Sequence, residues 1–323
     1  MNKKIILLVV LTSLQSKLLA CDVCNIFEFK TVDQKNYIGV FYHYMSFNGY
    51  DHLNQPHQLF SKSPQMHELD GSNLFFEKKQ QDFEKYSTFA LRANINLFKN
   101  FRLNVLLPYE HTVVYYNKVW STLDPVSDTT MLLSGLGDAI VGIDKNIRFK
   151  TDQFTHYLIP GLSLKLPTGI TNIKDNADEV FDPEIQPGTG SLDVLLKLNY
   201  TLTNGKWGVF SATNYKINST HNGYRFANSF NFQSDIFLIL GNPKKQFIPQ
   251  AGLYLERAGN NLDNGNIIDF TGGSTVFFDS GMELRLNNSI SFQFSAQLPI
   301  YDQRNNTQIG NAGRLNVGLI KMI

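Results

Sequence analysis

Between Ser191 and Thr203 apolar and polar residues alternate without a break. Leu192, Val194, Leu196, Leu198, Tyr200 and Leu202 fall on one side of an extended backbone. Ser191, Asp193, Leu195, Lys197, Asn199 and Thr201 fall on the other. The period is two, so the segment reads as a strand; a helix would scatter the same residues around its circumference. In a soluble sandwich the apolar side would face a core. In an outer-membrane barrel it would face lipid, with the polar side lining a wet lumen.

The same rhythm recurs along the chain. It predicts strands at 36–47, 86–98, 101–117, 135–150, 155–167, 191–203, 206–217, 225–241, 247–258, 266–286, 289–301 and 314–323. In the second, Phe89, Leu91, Ala93, Ile95 and Leu97 oppose Thr88, Ala90, Arg92, Asn94 and Asn96. In the eighth, Phe226, Phe230, Phe232, Ile236 and Leu238 share one face. Pro160-Gly161 predicts a bulge where the face switches, and Asn204-Gly205 a type I′ hairpin. Connections after odd-numbered strands are long and those after even-numbered ones are tight, Lys99-Asn100 and Asn287-Asn288 among them.

This pattern predicts an all-β chain: a single antiparallel transmembrane β-barrel of about twelve strands, with short periplasmic turns and long extracellular loops. The even count fits. Several strands exceed the ~9–11 residues a tilted crossing needs, whereas sandwich strands average about five or six. Closure also removes the edges that long apolar ribbons would expose. A soluble periplasmic sandwich is the competing architecture. The barrel-assembly machinery is an expected partner during biogenesis, although the terminal Ile323 departs from the aromatic residue with which such barrels commonly end.

The ends of the chain place it in the envelope. Asn2-Lys3-Lys4, the apolar run from Ile5 to Leu14 and the small Ala20 make residues 1–20 a signal peptide. The apolar run, about ten residues, is too short to span a bilayer as a helix. Residues 21–35 then form a periplasmic segment carrying Cys21-x-x-Cys24, and residues 36–323 the barrel. Leu18-Leu19-Ala20-Cys21 is also lipobox-like, but Lys17 suits simple cleavage better. The expected location is the outer membrane of a Gram-negative bacterium.

Composition narrows the function. The 323 residues carry a formal charge of +1, which points away from nucleic acid. The 25 Phe and 14 Tyr suit strands and interfacial girdles. Inward-facing positions hold Arg92, Glu110, Asp138, Asp144, Lys165, Asp193, Lys197, Asp235, Glu256, Glu283, Arg285 and Arg314. They read as a salt-bridged lumen or, more sharply, as a constriction that sorts small solutes.

The cysteine pair allows a disulfide, a lipidated Cys21, a packed pair, or a metal clip with His52, His57 and His67. Cys21 and Cys24 sit at the periplasmic end and the histidines in the first external loop, so one shared site is disfavoured. No cofactor is implied. Nor is enzymatic activity: a lipid hydrolase would need a Ser activated by a His on the wall, and His111 is followed by Thr112 and Val113 with no Ser two residues on.

Three blocks in the middle of the chain carry a family resemblance. They are Gly135-Leu136-Gly137-Asp138-Ala139, Lys165-Leu166-Pro167-Thr168-Gly169 and Gly188-Thr189-Gly190-Ser191-Leu192-Asp193. In that order they resemble the signature blocks of the outer-membrane transporter-like barrels named for the meta-pathway of phenol degradation. The resemblance implies a passive conduit for small, often aromatic or hydrophobic compounds, and brings no catalytic residues. Bottom-up, Gly135 and Gly137 would let a strand leave a loop, Pro167 would end a strand, and Gly188 and Gly190 would allow the return. The expected partners are outer-membrane lipid and small solutes. The alternative is a non-transporting barrel whose first loop or Cys21-x-x-Cys24 binds metal or a partner.

Overall fold

The computed structural model describes residues 35–50, 82–116, 129–305 and 308–323. Twelve antiparallel strands close into one barrel. They are β1 (Tyr37–Tyr50), β2 (Phe83–Phe98), β3 (Phe101–Tyr116), β4 (in segments Thr129–Leu136, Ile140–Lys145 and Ile147–Lys150), β5 (Thr155–Lys165), β6 (Asp193–Thr203), β7 (Trp207–Ile217), β8 (Ser229–Leu238 and Leu240–Asn242), β9 (Lys245–Ala258), β10 (Gly273–Arg285), β11 (Ile290–Arg304) and β12 (Ile309–Met322). Each pairs with its sequence neighbour, and β1 pairs with β12 from Tyr37↔Met322 onward, which closes the ring.

The two faces are inverted relative to a soluble protein. Val40, Phe89, Leu91, Leu107, Leu162, Leu196, Ile236 and Leu319 are all exposed on the outside. Arg92, Asp144, Asp193, Asp235, Glu256 and Arg314 are buried inside. A charged interior within an apolar exterior is the arrangement a lipid solvent selects, because the closed ladder satisfies the backbone without water. The period-two pattern that defined each strand is therefore also the pattern that orients it.

Tight turns join β2 to β3, β4 to β5, β6 to β7, β8 to β9 and β10 to β11; the other connections form the loop end. Three tight turns use one device. Asn204 Oδ1 accepts from the backbone N–H of Lys206 and Trp207, Asn242 Oδ1 from Lys244 and Lys245, and Asn287 Oδ1 from Ser289 and Ile290. Each asparagine side chain supplies an acceptor where the ladder ends. The Asn204 turn is consequently not type I′. That type needs positive φ at both central residues, and here only Gly205 has it, at 86°.

Other departures from the sequence reading are local. β4 starts at Thr129, before Gly135, and bulges at residues 137–139, where Leu107 and Pro108 of β3 oppose three residues. Pro108 has no N–H to give the ladder, and its carbonyl accepts from Gly137 N (3.0 Å). The bulge expected at Pro160-Gly161 is absent. β5 runs in unbroken register with β6, and β4 breaks beside it, at Asn146, whose N–H goes to Asn100 O (2.6 Å). β8 starts at Ser229; Phe226 lies buried in the preceding loop. β10 starts at Gly273, and Tyr224–Arg225, Leu262–Asp263 and Asn266–Ile267 form a separate small sheet joining two loops. The last loop is shorter than expected, because β11 and β12 extend to Arg304 and from Ile309.

Candidate functional site

The three sequence blocks meet at one place on the inner wall. Asp138 lies in the β4 bulge, Lys165 ends β5 and Asp193 starts β6. Lys165 Nζ sits 2.6 Å from Asp193 and 3.2 Å from Asp138, and it also donates to Thr189 Oγ1. Asp138 accepts from Gly169 N (2.9 Å), Thr189 N (2.9 Å) and Thr189 Oγ1 (2.7 Å). Asp193 accepts from Ser219 N (2.9 Å) and lies 3.8 Å from Lys216 Nζ. Asp138 and Asp193 thus share one cation, and each also accepts from its own backbone N–H groups, the condition under which buried charge is tolerable.

The glycines explain the rest of the motif. A Cβ on Gly169 would come within 2.5 Å of Gly188 Cα, and one on Gly188 within 2.5 Å of Gly169 C. The two arms of the 166–192 loop therefore touch backbone to backbone, which only glycine permits. The loop continues inward over β3 and β4. Its short turn Pro183–Ile185 places Ile185 against Val114 and Leu133, both fully buried, with Met131, Ile173 and Phe181 around them. The three blocks together build a loop anchor.

Two more loops are tied to this one above the lumen. Glu184 Oε1 accepts from Tyr224 OH (2.8 Å) and Asn261 Nδ2 (2.6 Å). The surrounding loop atoms push the Glu184 carboxyl up to about 7, burial being the main cause and Asp182 the next. Tyr224 is raised above its ordinary value, by burial first and by Glu184 second.

The remaining predicted residues all project inward, in separate sets. Arg314 pairs with both oxygens of Glu256 (2.7 and 2.5 Å) and covers the Phe277 ring at 4.3 Å. Lys197 pairs with Asp144 (2.9 Å), which also takes Arg102 (3.2 Å). Arg285 pairs with Glu283 (2.8 Å). Glu110 accepts from Thr88 (2.6 Å), and Arg92 lies over the Phe41 ring at 4.6 Å. Asp235 shares the Gln233 amide with Asp279, at 2.9 and 3.0 Å. Arg102, Lys216 and Asp279 escaped the sequence reading. Their strand parity was the signal that could have found them.

Beside these sets lies a lumenal cavity that opens in part to solvent. Arg92, Gln233, Gln250, Glu283 and Gln297 border it. So do Phe210, Phe237 and Ile248, which form a buried apolar cluster on the inner face of β7, β8 and β9. His43 borders it from β1; its Nδ1 hydrogen-bonds Asn316 Oδ1, and Asn316 Nδ2 donates to Ser295 Oγ (3.1 Å).

Cys21, Cys24, His52, His57 and His67 lie outside the described residues. Among the described residues no cluster of His, Cys, Asp and Glu is built to hold a metal. His111 does meet a serine, across the strands rather than along the chain: Nδ1 lies 2.6 Å from Ser134 Oγ. His111 has no further hydrogen-bond partner among the described residues to orient it, so the pair lacks the third member of a nucleophile–base–orienter set.

No protein-family model and no curated protein matches the chain. Solved structures do. An outer membrane channel from Pseudomonas putida F1 is 16% identical, with a TM-score of 0.60 over 92% of this chain and all of that one. The β domain of the Bordetella autotransporter BrkA is 8% identical, with a TM-score of 0.48 over 90% of this chain and all of that one. A Pseudomonas aeruginosa FadL homologue is 10% identical, with a TM-score of 0.40 over 89% of this chain and 90% of that one. The first likeness establishes the fold, a closed barrel of the outer-membrane channel kind, and this fold fits the resemblance carried by the three blocks.

Proposed function

We propose that this barrel sits in the outer membrane and passes small solutes passively through its lumen. The observation that carries the reading is the inverted shell: apolar residues outside, ion pairs and amides inside, and a cavity left between them. The fold's likeness to an outer-membrane channel supports it. The lumen carries both signs of charge, much of it ion-paired within the wall. Such a lining holds water and favours neutral solutes over ions of either sign.

The test is conductance. Purified chain in planar bilayers should give discrete single-channel steps with weak preference between cations and anions, and liposomes carrying it should swell in small neutral solutes. Silent bilayers together with solute-impermeable liposomes would leave a barrel that does not transport.

A further inference from the structure

We infer that the turn end of the barrel is a docking surface for anionic phospholipid headgroups, the phosphodiester anions of the bilayer leaflet around it. Every barrel of this kind meets lipid; a preference for one headgroup charge at one end belongs to this chain. The inference rests on the outer-membrane reading, and its test separates the two.

Exposed charge is sorted between the two ends of the barrel. Four of the five tight turns carry an exposed lysine in or beside them: Lys99, Lys150, Lys206 and Lys244. Lys145, Lys245 and Lys321 are exposed on strands at the same end, and Arg148 lies between Lys145 and Lys150. Asp152 is the one exposed acidic side chain there among the described residues. The loop end is the reverse. Asp175, Asp178, Glu179, Asp182, Asp263 and Asp269 are exposed, against Lys174 and Arg225. Lys174 is already paired with Asp178 (2.9 Å). The formal charge of +1 conceals this division.

Two observations direct the basic rim to lipid. The first is its lack of counter-charge. None of these turn-end lysines makes an ion pair among the described residues. Like charges gathered on one rim repel, and a layer of phosphate anions relieves them. The second is the company they keep. Lys145, Lys245 and Lys321 share the outward parity of Ile143, Phe247 and Leu319, which are exposed on the apolar face. Lys145 Nζ lies 5.8 Å from the Phe101 ring, which packs on the exposed Phe98. Phe149 stacks on His156 at 4.5 Å, and Trp207, next to Lys206, meets Phe154 edge-on at 5.7 Å. Aromatic rings at the end of an apolar band mark headgroup depth. A lysine there lays its stem along the apolar wall and holds its ammonium among the headgroups. An anionic lipid covers the rings and the ammonium groups together, whereas a free phosphate or an acidic protein leaves the rings bare.

Trp207 stands on this rim, so its fluorescence reads the lipid beside it. Trp120→Phe removes the other tryptophan. The full chain is placed in vesicles of phosphatidylcholine and phosphatidylglycerol, one or the other brominated, and quenching of Trp207 gives the ratio of their occupancies. Phosphatidylglycerol should be favoured about two- to five-fold at low salt, the worth of at most one lysine per lipid. The preference should shrink toward unity in about 1 M KCl, where screening acts within ~3 Å. Lys150→Gln, Lys206→Gln and Lys244→Gln together strip Trp207's own turn and the two beside it, and should remove the preference. Equal quenching by the two lipids would overturn the inference, as would a preference indifferent to salt or one that survives the triple variant. The first two readings use the chain with its lysines intact, so a triple variant that fails to assemble leaves the test standing. Conductance in the same lipids keeps the readings apart. A preference in a silent barrel sinks the channel and spares the surface, steps without a preference do the reverse, and no quenching by either lipid sinks both.

Discussion

The anchor around Lys165 and the cavity beside His43 lie in one lumen and are built on opposite terms. At the anchor, Asp138 alone takes three protein hydrogen bonds, and glycines bring the loop arms into backbone contact. At the cavity, the wall leaves space, apolar rings face inward, and the His43 Nε2 nitrogen has no hydrogen-bond partner among the described residues. A region whose carboxylates are tied to a shared cation and to backbone donors holds shape. A region with an unmet polar atom beside unfilled volume is less constrained. Charge alone does not separate them, since both contain buried ionisable groups. Satisfaction does.

That contrast breaks first at the anchor. Lys165→Met leaves Asp138 and Asp193 facing each other without their shared cation, and should lower stability by about 3–5 kcal/mol. Urea unfolding in detergent, followed by the gel shift, reads the loss; an unchanged midpoint would show that the anchor is not what holds the loop. Next comes Arg314→Met, which strands Glu256 and should cost about 2–4 kcal/mol, with most of that recovered when Glu256→Gln is added. Recovery in the double variant is the decisive reading.

The cavity should respond in the other sense. Phe237→Ala enlarges it, and stability should fall by about 3 kcal/mol, the low end for a buried ring because the space it vacates joins the cavity. Single-channel conductance should rise. A fall in conductance would mean that the ring props the lumen open. Smaller still is Asn242→Ala, which removes the acceptor for two turn N–H groups and should cost about 0.5–1 kcal/mol in the same urea titration.

The smallest effect belongs to the loop latch at Glu184. Because the folded loops hold the Glu184 proton more tightly than an open chain would, the latch contributes fully below the ordinary carboxylate pKa of 4.5 and weakens as pH climbs to about 7. Glu184 keeps part of its surface in solvent, which shrinks the effect. Hydrogen exchange near Tyr224 and Asn261, corrected for its intrinsic pH dependence, should quicken across that window in the native chain and stay flat in Glu184→Gln.

The sequence determined the strands and their faces. Alternation at Leu192–Leu202 and Phe89–Leu97 is a property of neighbouring residues, and lipid outside with water inside reads that alternation directly. The even rhythm of long and tight connections likewise predicted closure of the barrel. Only the tertiary structure decided which inward residues meet. Asp138, Lys165 and Asp193 were each legible as inward, yet that they form one anchor with Thr189, Gly169 and Gly188 depends on how strands β4, β5 and β6 are staggered. The partnership of His111 with Ser134, and of His43 with Asn316, was invisible for the same reason: cross-strand register sets both, and no local spacing encodes it. A one-dimensional pattern tells a side chain which solvent it faces, while its partner is set by the closed geometry that brings distant strands together.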